Sequence, residues 1–344
     1  MNAIPNQPLL EVRNLRVEFP TRRGTLLAVD DVSFHIAPGE VLGVVGESGA
    51  GKSLTGAAII GLLEPPGRVA GGEILLAGRR IDQLSYDEMR KVRGAQIGAI
   101  FQDPLTSLNP LYTVGRQLIE TIQTHVKLTA QQARTRAIDL LKEVGIPAAE
   151  QRIDHYPHQF SGGMRQRVVI ALALCANPKL IIADEPTTAL DVSIQAQIIA
   201  LIKRLCREHG TAVMLVTHDM GVIAETADRV AVMYAGRIAE IGPVREVVKN
   251  ARHPYTSGLM GSIPSVGGEQ GKLTQIEGSM PRLTEIPPGC AFNPRCPEAG
   301  ERCVVERPDL LPAGRSSAAC WLYDAAGVGR KLRQPQTVPE AVNG

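Results

Sequence analysis

The chain has few aromatic side chains and almost no excess of charge. Aromatic residues make up 3% of the 344 residues, with one Trp, which is too few for base-stacking platforms along single-stranded nucleic acid. Lys and Arg together number 37 and Asp and Glu 35, so the net charge is +2, whereas nucleic-acid-binding domains usually carry a basic face and a high pI. We therefore expect no nucleic-acid partner.

Long apolar runs are also missing. The longest, residues 168–176, is far shorter than the ~20 residues that a membrane-spanning helix needs. The N-terminal residues show neither the basic region nor the apolar region of an export signal. These features predict a cytosolic chain, whose six cysteines are not expected to form disulfides.

Short apolar runs and helical patterns alternate over much of the chain. Val41–Val45 is apolar without alternation, typical of a parallel strand covered on both faces, and a Gly-rich loop and a helical pattern at 54–63 follow it. Residues from about 105 to 160 instead favour amphipathic helices, at 113–126 and 130–144. This order predicts an α/β domain over 8–250 with a helical insert, an extension over 251–325 rich in Pro, Gly and Cys, and a disordered tail over 326–344.

The Gly-rich loop fits the phosphate-loop pattern G-x-x-x-x-G-K-[ST] without a mismatch. Its residues are Gly46, Glu47, Ser48, Gly49, Ala50, Gly51, Lys52 and Ser53. Backbone N–H groups of such a loop surround a β-phosphate, the Lys bridges the β and γ oxygens, and the Ser hydroxyl ligates Mg²⁺. A chance Gly-rich turn is the alternative, but a buried strand before the loop and a helix after it favour ATP and Mg²⁺ as ligands.

Two carboxylates follow another buried strand downstream. Asp184 and Glu185 directly follow the apolar run 180–183. The carboxyl ends of strands in open α/β sheets face the ligand crevice. Asp184 is predicted to hold Mg²⁺ through water, and Glu185 to orient and deprotonate the attacking water. A plain acidic turn is the usual alternative for such a pair, and the phosphate loop argues against it here.

A second anion-binding helix start is predicted at Ser161, Gly162 and Gly163. Ser161 is a good N-cap residue, and the two Gly leave backbone N–H groups accessible. An ordinary capped helix is the alternative interpretation.

With these three motifs, residues 8–250 resemble the ATP-binding-cassette (ABC) ATPases. The resemblance implies an α/β P-loop NTPase fold: a RecA-like core with an antiparallel β subdomain and an α-helical subdomain, here followed by a small irregular C-terminal extension. It identifies the segment from Phe160 to Met164 as the signature motif, which contacts the γ-phosphate held by a second subunit. It therefore implies a head-to-tail dimer that encloses two ATP molecules.

The resemblance also assigns residues that no spacing rule identifies. Gln102 is similar to the Q-loop glutamine near Mg²⁺ and the attacking water, Asp191 to the D-loop aspartate at the dimer seam, and His218 to the switch histidine on the γ-phosphate. Phe19 is placed like the aromatic residue that stacks on adenine, although a core position in a strand is nearly as good an interpretation.

A narrower resemblance is to the ATPase subunits of dipeptide, oligopeptide and nickel importers. It rests on the segments 102–110, 156–167 and 253–256, and on the Pro- and Cys-bearing extension. It implies two integral-membrane permease subunits, a solute-binding protein outside the membrane, a second ATPase subunit of a different sequence, and a peripheral location on the cytoplasmic face of the inner membrane.

Four cysteines lie close together in the extension: Cys290, Cys296, Cys303 and Cys320. Reduced thiols, a zinc site and an iron–sulfur cluster are the alternatives. The C-x₂₋₄-C pairs of zinc sites are missing, and so is the standard ferredoxin spacing. Some dipeptide-importer ATPases carry a [4Fe–4S] cluster at this place, so the resemblance favours that group.

The sequence therefore predicts an ATPase that powers the uptake of peptides or a related small solute. The alternative is a non-transport cassette ATPase acting on ribosomes or DNA, but such proteins usually carry two cassettes or a long coiled-coil insert. An exporter cassette is normally fused to a membrane domain, which this sequence lacks.

Overall fold

The strands form two sheets in the computed structural model, which describes residues 7–22, 24–188, 190–262 and 276–324. The first sheet is antiparallel, in the order β2-β1-β4-β5. Its strands are β1 (Leu10–Thr21), β2 (Gly24–Ile36), β4 (Arg68–Leu76) and β5 (Arg79–Arg80). It is the antiparallel β subdomain that the family resemblance implied.

The second sheet has eight strands in the order β11-β12-β10-β9-β3-β8-β7-β6. They are β3 (Val41–Val45), β6 (Ile97–Ile100), β7 (Leu180–Asp184), β8 (Ala212–Val216), β9 (Arg229–Tyr234), β10 (Arg237–Pro243), β11 (Leu311–Ala313) and β12 (Ser316–Ala318). The strands from β9 to β6 are parallel, and β10, β12 and β11 continue the sheet antiparallel.

Helices cover this sheet and form the insert. They are α1 (Lys52–Ile59), α2 (Tyr86–Val92), α3 (Pro104–Ser107), α4 (Val114–His125), α5 (Ala130–Glu143), α6 (Ala149–Arg152), α7 (Gly162–Leu174), α8 (Val192–His209), α9 (Met220–Thr226), α10 (Val244–Lys249), α11 (Pro254–Gly261) and α12 (Glu301–Val305). Short 3₁₀ helices lie at Pro157–Gln159, Asn293–Arg295 and Trp321–Tyr323.

Strand β3 separates the two hydrophobic cores. All five of its residues are buried: Val41 and Val45 pack into the core shared with the insert helices, and Leu42 and Val44 into the core shared with the antiparallel sheet. The apolar run without alternation is explained by this two-sided burial, and it fixes the loop after β3 at the edge where the parallel strands end.

The two long insert helices begin where the sequence predicts them. Thr113 and Thr129 are the N-caps of α4 and α5, and each hydroxyl accepts a bond from a backbone N–H of the first turn. At α5 the Gln132 side chain completes a capping box. The buried face of each helix packs into the core that also receives α7.

The extension is joined to the sheet through buried polar and aromatic groups. The fully buried Glu240 of β10 accepts bonds from the backbone N–H groups of Arg252 and His253 and from the Ser316 hydroxyl. Tyr255 of α11 and Phe292 pack with their ring centroids 5.4 Å apart. The extension also contains two three-residue strands, β11 and β12, which its Pro-rich sequence did not predict. The predicted tail over 326–344 lies outside the described residues.

Candidate functional site

The phosphate loop has a backbone that only glycine tolerates at two positions. Gly46 has φ +152°, and a Cβ there would lie 2.2 Å from the Met233 carbonyl oxygen. Gly51 has φ +98°, and its Cβ would lie 3.0 Å from the Ala28 carbonyl oxygen. The backbones of β9 and β2 thus lie too close to the loop for a side chain at either position. The loop leads directly into α1, as in sites that bind phosphate at a helix N-terminus.

Lys52, the first residue of α1, is buried, with 6% of its surface exposed. Its ammonium donates to the carbonyl oxygens of Gly46 and Glu47, at 2.9 and 3.0 Å. Burial lowers the pKa of Lys52, against the opposing effect of the charges of Glu185, Asp184 and Glu47. This poorly hydrated cation on the loop is suited to an anionic ligand.

The hydroxyl of Ser53 donates to Asp184 Oδ1 at 2.9 Å. Burial is the main cause that raises the Asp184 pKa, and the Ser53 hydrogen bond opposes it. A hydroxyl and a carboxylate beside a phosphate loop fit Mg²⁺, which is held by few protein oxygens together with substrate phosphates. The predicted Mg²⁺ ligands Ser53 and Asp184 are therefore brought together, and Gln102 lines the same cavity as Ser53.

Glu185 follows β7 in a left-handed backbone conformation, with φ +44°. Its backbone N–H donates to the Val216 carbonyl oxygen at 2.9 Å, which ties the strand end to β8. Its carboxylate accepts from Thr188 Oγ1 at 2.9 Å and from Gln102 Nε2 at 3.2 Å, and His218 Nδ1 lies 3.4 Å from it. A strained residue held this firmly is typical of functional sites.

One cavity of about 1010 Å³ is shared by Lys52, Ser53, Gln102, Glu185 and His218. Its volume is at the upper end of the range for ligand pockets. Its lining residues are Leu26, Ala28, Ser48, Gly49, Gly51, Lys52, Ser53, Leu54, Gln102, Glu185, His218 and the segment 280–284. Three strand ends and one loop thus bring together residues that are far apart in the sequence.

Phe19 is not among the residues that line this cavity. It faces a neighbouring groove with Leu54 and Leu63, and a Cβ on Gly67 would lie 2.6 Å from its ring. The same groove is lined by Ser53 and Asp184, the predicted Mg²⁺ ligands. The stacking of Phe19 on adenine stays a prediction.

The signature residues also lie outside the cavity. Ser161 caps α7, accepting from the Met164 backbone N–H, and Gly162 follows it on the protein surface. A Cβ on Gly163 would lie 2.9 Å from Ile194 of α8, the helix that Asp191 precedes. Ala189, the first residue of the predicted D-loop, lies outside the described residues.

Sequence reasoning missed a contribution of the extension to the site. Arg295 pairs with Glu47 of the phosphate loop at 3.0 Å, and the Tyr255 hydroxyl accepts from the Glu47 backbone N–H at 2.9 Å. The segment 280–284 lines the cavity itself. No spacing pattern in the sequence relates these residues to a loop more than 200 positions away.

The four clustered cysteines are partly buried free thiols. Burial raises the pKa of Cys296 to about 12 and that of Cys320 to about 11, and nearby thiols add to both effects. Among the described residues, no group of three or more His, Cys, Asp and Glu side chains is placed to hold a metal ion. The arrangement therefore does not support the predicted [4Fe–4S] cluster. Cys175 and Cys206 are buried.

Two family models match the chain. The model described as "ABC transporter" matches residues 29–188, and the model described as "Oligopeptide/dipeptide transporter, C-terminal region" matches residues 239–303. The first match contains the phosphate loop and Glu185, and the second contains Arg295 and the segment 280–284.

Curated relatives match over nearly the whole chain. The Bacillus subtilis (strain 168) protein "Oligopeptide transport ATP-binding protein AppD" is 48% identical over 93% of this chain and 98% of its own length. "Dipeptide transport ATP-binding protein DppD" of the same organism is 49% identical over 92% and 96%, and "Oligopeptide transport ATP-binding protein OppD" is 54% identical over 83% and 80%.

Solved structures agree with the fold. The ATP-binding cassette MJ0796, in a dimeric post-hydrolysis state bound to ADP and Pi, has a TM-score of 0.62 at 31% identity, over 69% of this chain and 99% of that one. The cbiO1 protein of Clostridium perfringens, part of the transporter complex cbiONQ, has a TM-score of 0.62 at 31% identity over 71% and 92%.

None of the described helices is both long and apolar enough to cross a membrane. The phosphate loop, the carboxylates at the end of β7 and the relatives all indicate the same kind of protein. The chain belongs to the ABC transporter family, as a P-loop ATPase with the C-terminal region of the oligopeptide and dipeptide transporters.

Proposed function

We propose that this chain is the ATP-hydrolysing subunit of an importer for oligopeptides, dipeptides or a related small solute. The observation that carries the proposal is the convergence of Lys52, Gln102, Glu185 and His218 on one cavity. Relatives named for oligopeptide and dipeptide transport match 93, 92 and 83% of the chain.

The phosphate loop binds the triphosphate. Its backbone N–H groups face the β-phosphate, and the Lys52 ammonium exchanges its carbonyl partners for β and γ oxygens. Ser53 and Asp184, whose side chains are 2.9 Å apart, would hold Mg²⁺, and Gln102 lines the same cavity as Ser53. When bound, the ion neutralises the charge that develops on the γ-phosphate.

Glu185 is the general base in the proposed hydrolysis. Its carboxylate takes a proton from the water that attacks the γ-phosphorus, and the bond between that phosphorus and the β–γ bridging oxygen breaks to leave ADP. Gln102 and Thr188 orient the carboxylate by donating to it. The His218 ring, 3.4 Å from Glu185, donates to a γ-phosphate oxygen.

A second ATPase subunit completes the site. Ser161, Gly162 and Asp191 are exposed at the starts of α7 and α8 and do not line the cavity of their own chain. Helix starts of this kind bind anions, so in the proposed dimer each subunit presents them to the γ-phosphate bound by the other. The cassette MJ0796, 31% identical to this chain, is a dimer in its structure with ADP and Pi, which supports a dimeric arrangement. We infer a partner of a different sequence, as the family resemblance implies.

Two permease subunits are the proposed membrane partners, together with a solute-binding protein outside the membrane. Apolar side chains surround the Gln102 loop: Phe101, Leu105 and Leu111 are 46, 63 and 79% exposed. Exposed apolar groups this close together are typical of protein contacts. This surface would transmit movements of the Gln102 loop, caused by ATP binding and hydrolysis, to the permeases. The same contact would hold the chain at the cytoplasmic face of the inner membrane.

The other candidates, a cassette that acts on ribosomes or DNA and one that drives export, have less support. The three relatives described above are named for oligopeptide or dipeptide transport, and their names favour the transport assignment over these two candidates. We retain the prediction that no nucleic acid is a partner.

The proposal does not extend to a [4Fe–4S] cluster. The four thiols lie close enough to affect one another's pKa, which supports a common role, but they are not placed as a ligand set among the described residues. Iron and acid-labile sulfide analysis of anaerobically purified protein tests this. We expect neither above background, and about four iron atoms per chain would contradict the expectation.

Reconstitution tests the proposed function. The chain is purified with its two permeases and second ATPase, placed in vesicles, and assayed for peptide uptake with ATP inside the compartment that the ATPases face. We expect uptake that depends on ATP and is lost with Glu185→Gln in this chain. Hydrolysis without uptake, together with co-purification on ribosomes, would contradict the transport assignment.

A further inference from the structure

Five consecutive residues of the extension form part of the nucleotide cavity. Met280, Pro281, Arg282, Leu283 and Thr284 line it together with the phosphate loop. A Cβ on Gly49 would lie 3.0 Å from the Met280 methyl carbon, so this side chain packs directly on the loop. The C-terminal region therefore supplies one wall of the cavity.

One arginine holds this segment in place. Arg295 donates from Nε to the Glu277 carbonyl oxygen at 2.9 Å and from Nη2 to that of Gly278 at 3.3 Å. Its Nη1 pairs with the Glu47 carboxylate at 3.0 Å and reaches the Tyr234 hydroxyl at 3.3 Å. Its side chain is 8% exposed, so a single buried guanidinium ties the segment to the phosphate loop.

Arg282 is the cation that this segment brings to the cavity. Its side chain is exposed and makes no hydrogen bond or ion pair with the residues that the structure describes. The charged lining otherwise consists of Lys52 and Glu185, whose formal charges cancel. Arg282 therefore adds a second cation, beside Lys52, to the side chains that line the cavity.

We propose that Arg282 is a nucleotide-binding residue that contacts the phosphates of ATP, and that Arg295 positions it by linking the segment 277–284 to Glu47. The extension is then part of the ATP site of its own chain. The proposal rests on the ATPase activity described above and adds a binding residue to it.

Nucleotide affinity of the full-length chain tests the proposal. Binding of Mg·ATP is measured by titration calorimetry in the Glu185→Gln background, which prevents turnover. We expect Arg282→Ala to weaken binding about tenfold, Arg282→Lys to weaken it less, and the effect of Arg282→Ala to shrink at high salt. Arg315→Ala, an exposed arginine of the extension outside the cavity, is the matched control and should bind like its parent.

The positioning role of Arg295 has its own readout. Arg295→Lys keeps the charge but lacks the fork that reaches Glu277, Gly278 and Glu47 together, so we expect it to weaken ATP binding while Arg282 is present. In the Arg282→Ala background the same change should add little, since coupled residues are non-additive. Thermal melts confirm that each variant is folded.

Two results would overturn the proposal. Affinity of Arg282→Ala within twofold of its parent would mean that the side chain does not contact the nucleotide. Tighter binding by Arg282→Ala would mean that the segment obstructs the cavity. Failure of the proposed ATPase itself is distinguishable, because the parent protein would then bind no Mg·ATP at all.

Discussion

Gln102 donates from Nε2 to Oε2 of Glu185 at 3.2 Å, across 83 positions of the chain. Gln102 follows the strand β6, and Glu185 follows its parallel neighbour β7. The loop with exposed apolar side chains and the proposed general base are thus in direct contact. A displacement of the loop by the proposed permeases would move a hydrogen bond on the Glu185 carboxylate.

Replacing Glu185 by Gln should nearly abolish hydrolysis and leave ATP binding intact. The amide fills the same space but cannot take a proton, and general bases contribute roughly 10²- to 10⁴-fold to rate. Phosphate release and ATP binding are measured on the same preparation. Glu225→Gln, at an exposed helix position, should hydrolyse ATP normally. Undiminished hydrolysis by Glu185→Gln would rule out the assigned base.

Replacing Ser53 by Ala should raise the Mg²⁺ concentration needed for half-maximal hydrolysis by roughly tenfold or more. The change removes a metal ligand and the hydroxyl that donates to Asp184. Chelation of Mg²⁺ should abolish hydrolysis by the parent protein. Ser262→Ala, outside the cavity, serves as the control, and an unchanged Mg²⁺ dependence of Ser53→Ala would exclude the hydroxyl as a ligand.

The stability of the protein should fall as the pH drops from about 6.5 to about 4 because of His253. Burial lowers the His253 pKa to about 4, so in this pH range the unfolded chain binds a proton that the folded chain does not. The expected contribution is about 3 kcal/mol, present at neutral pH and lost towards pH 4.

Urea unfolding between pH 4 and 7 measures this dependence. His253 Nδ1 accepts from the Tyr255 backbone N–H at 3.1 Å, and Asn at an N-cap can accept the same bond without titrating. His253→Asn should therefore show a flatter pH dependence, and His158→Asn at an exposed site should follow the parent. Parallel curves for parent and His253→Asn would contradict the prediction.

Removing the Phe292 ring should loosen the extension. Phe292 is 2% exposed and packs between Tyr234 and Tyr255 at ring-centroid distances of 5.3 and 5.4 Å. Truncation of such a residue to Ala costs about 3–5 kcal/mol. Hydrogen exchange should show faster opening of the extension in Phe292→Ala, whereas Phe101→Ala, at a half-exposed ring, should exchange like the parent.

The sequence contains the information for the phosphate loop but not for its support. Gly46, Gly51, Lys52 and Ser53 lie in one continuous segment whose backbone conformation is determined locally. A locally determined conformation requires the same residue types at the same spacing, so it can be recognised in the sequence. The pairing of Glu47 with Arg295 depends on how the extension folds back across 248 positions, which no local pattern encodes.

The hydrogen bonds between β12 and β10, at Glu240 with Ala318 and Ile241 with Ser317, cover one margin of the catalytic sheet. In a protein shortened before residue 311, β10 would remain paired with β9 on one side and would become an exposed edge strand on the other. Exposed edge strands pair with other chains. Loss of the extension should therefore appear first as self-association and precipitation, whether or not the phosphate loop still binds its ligand.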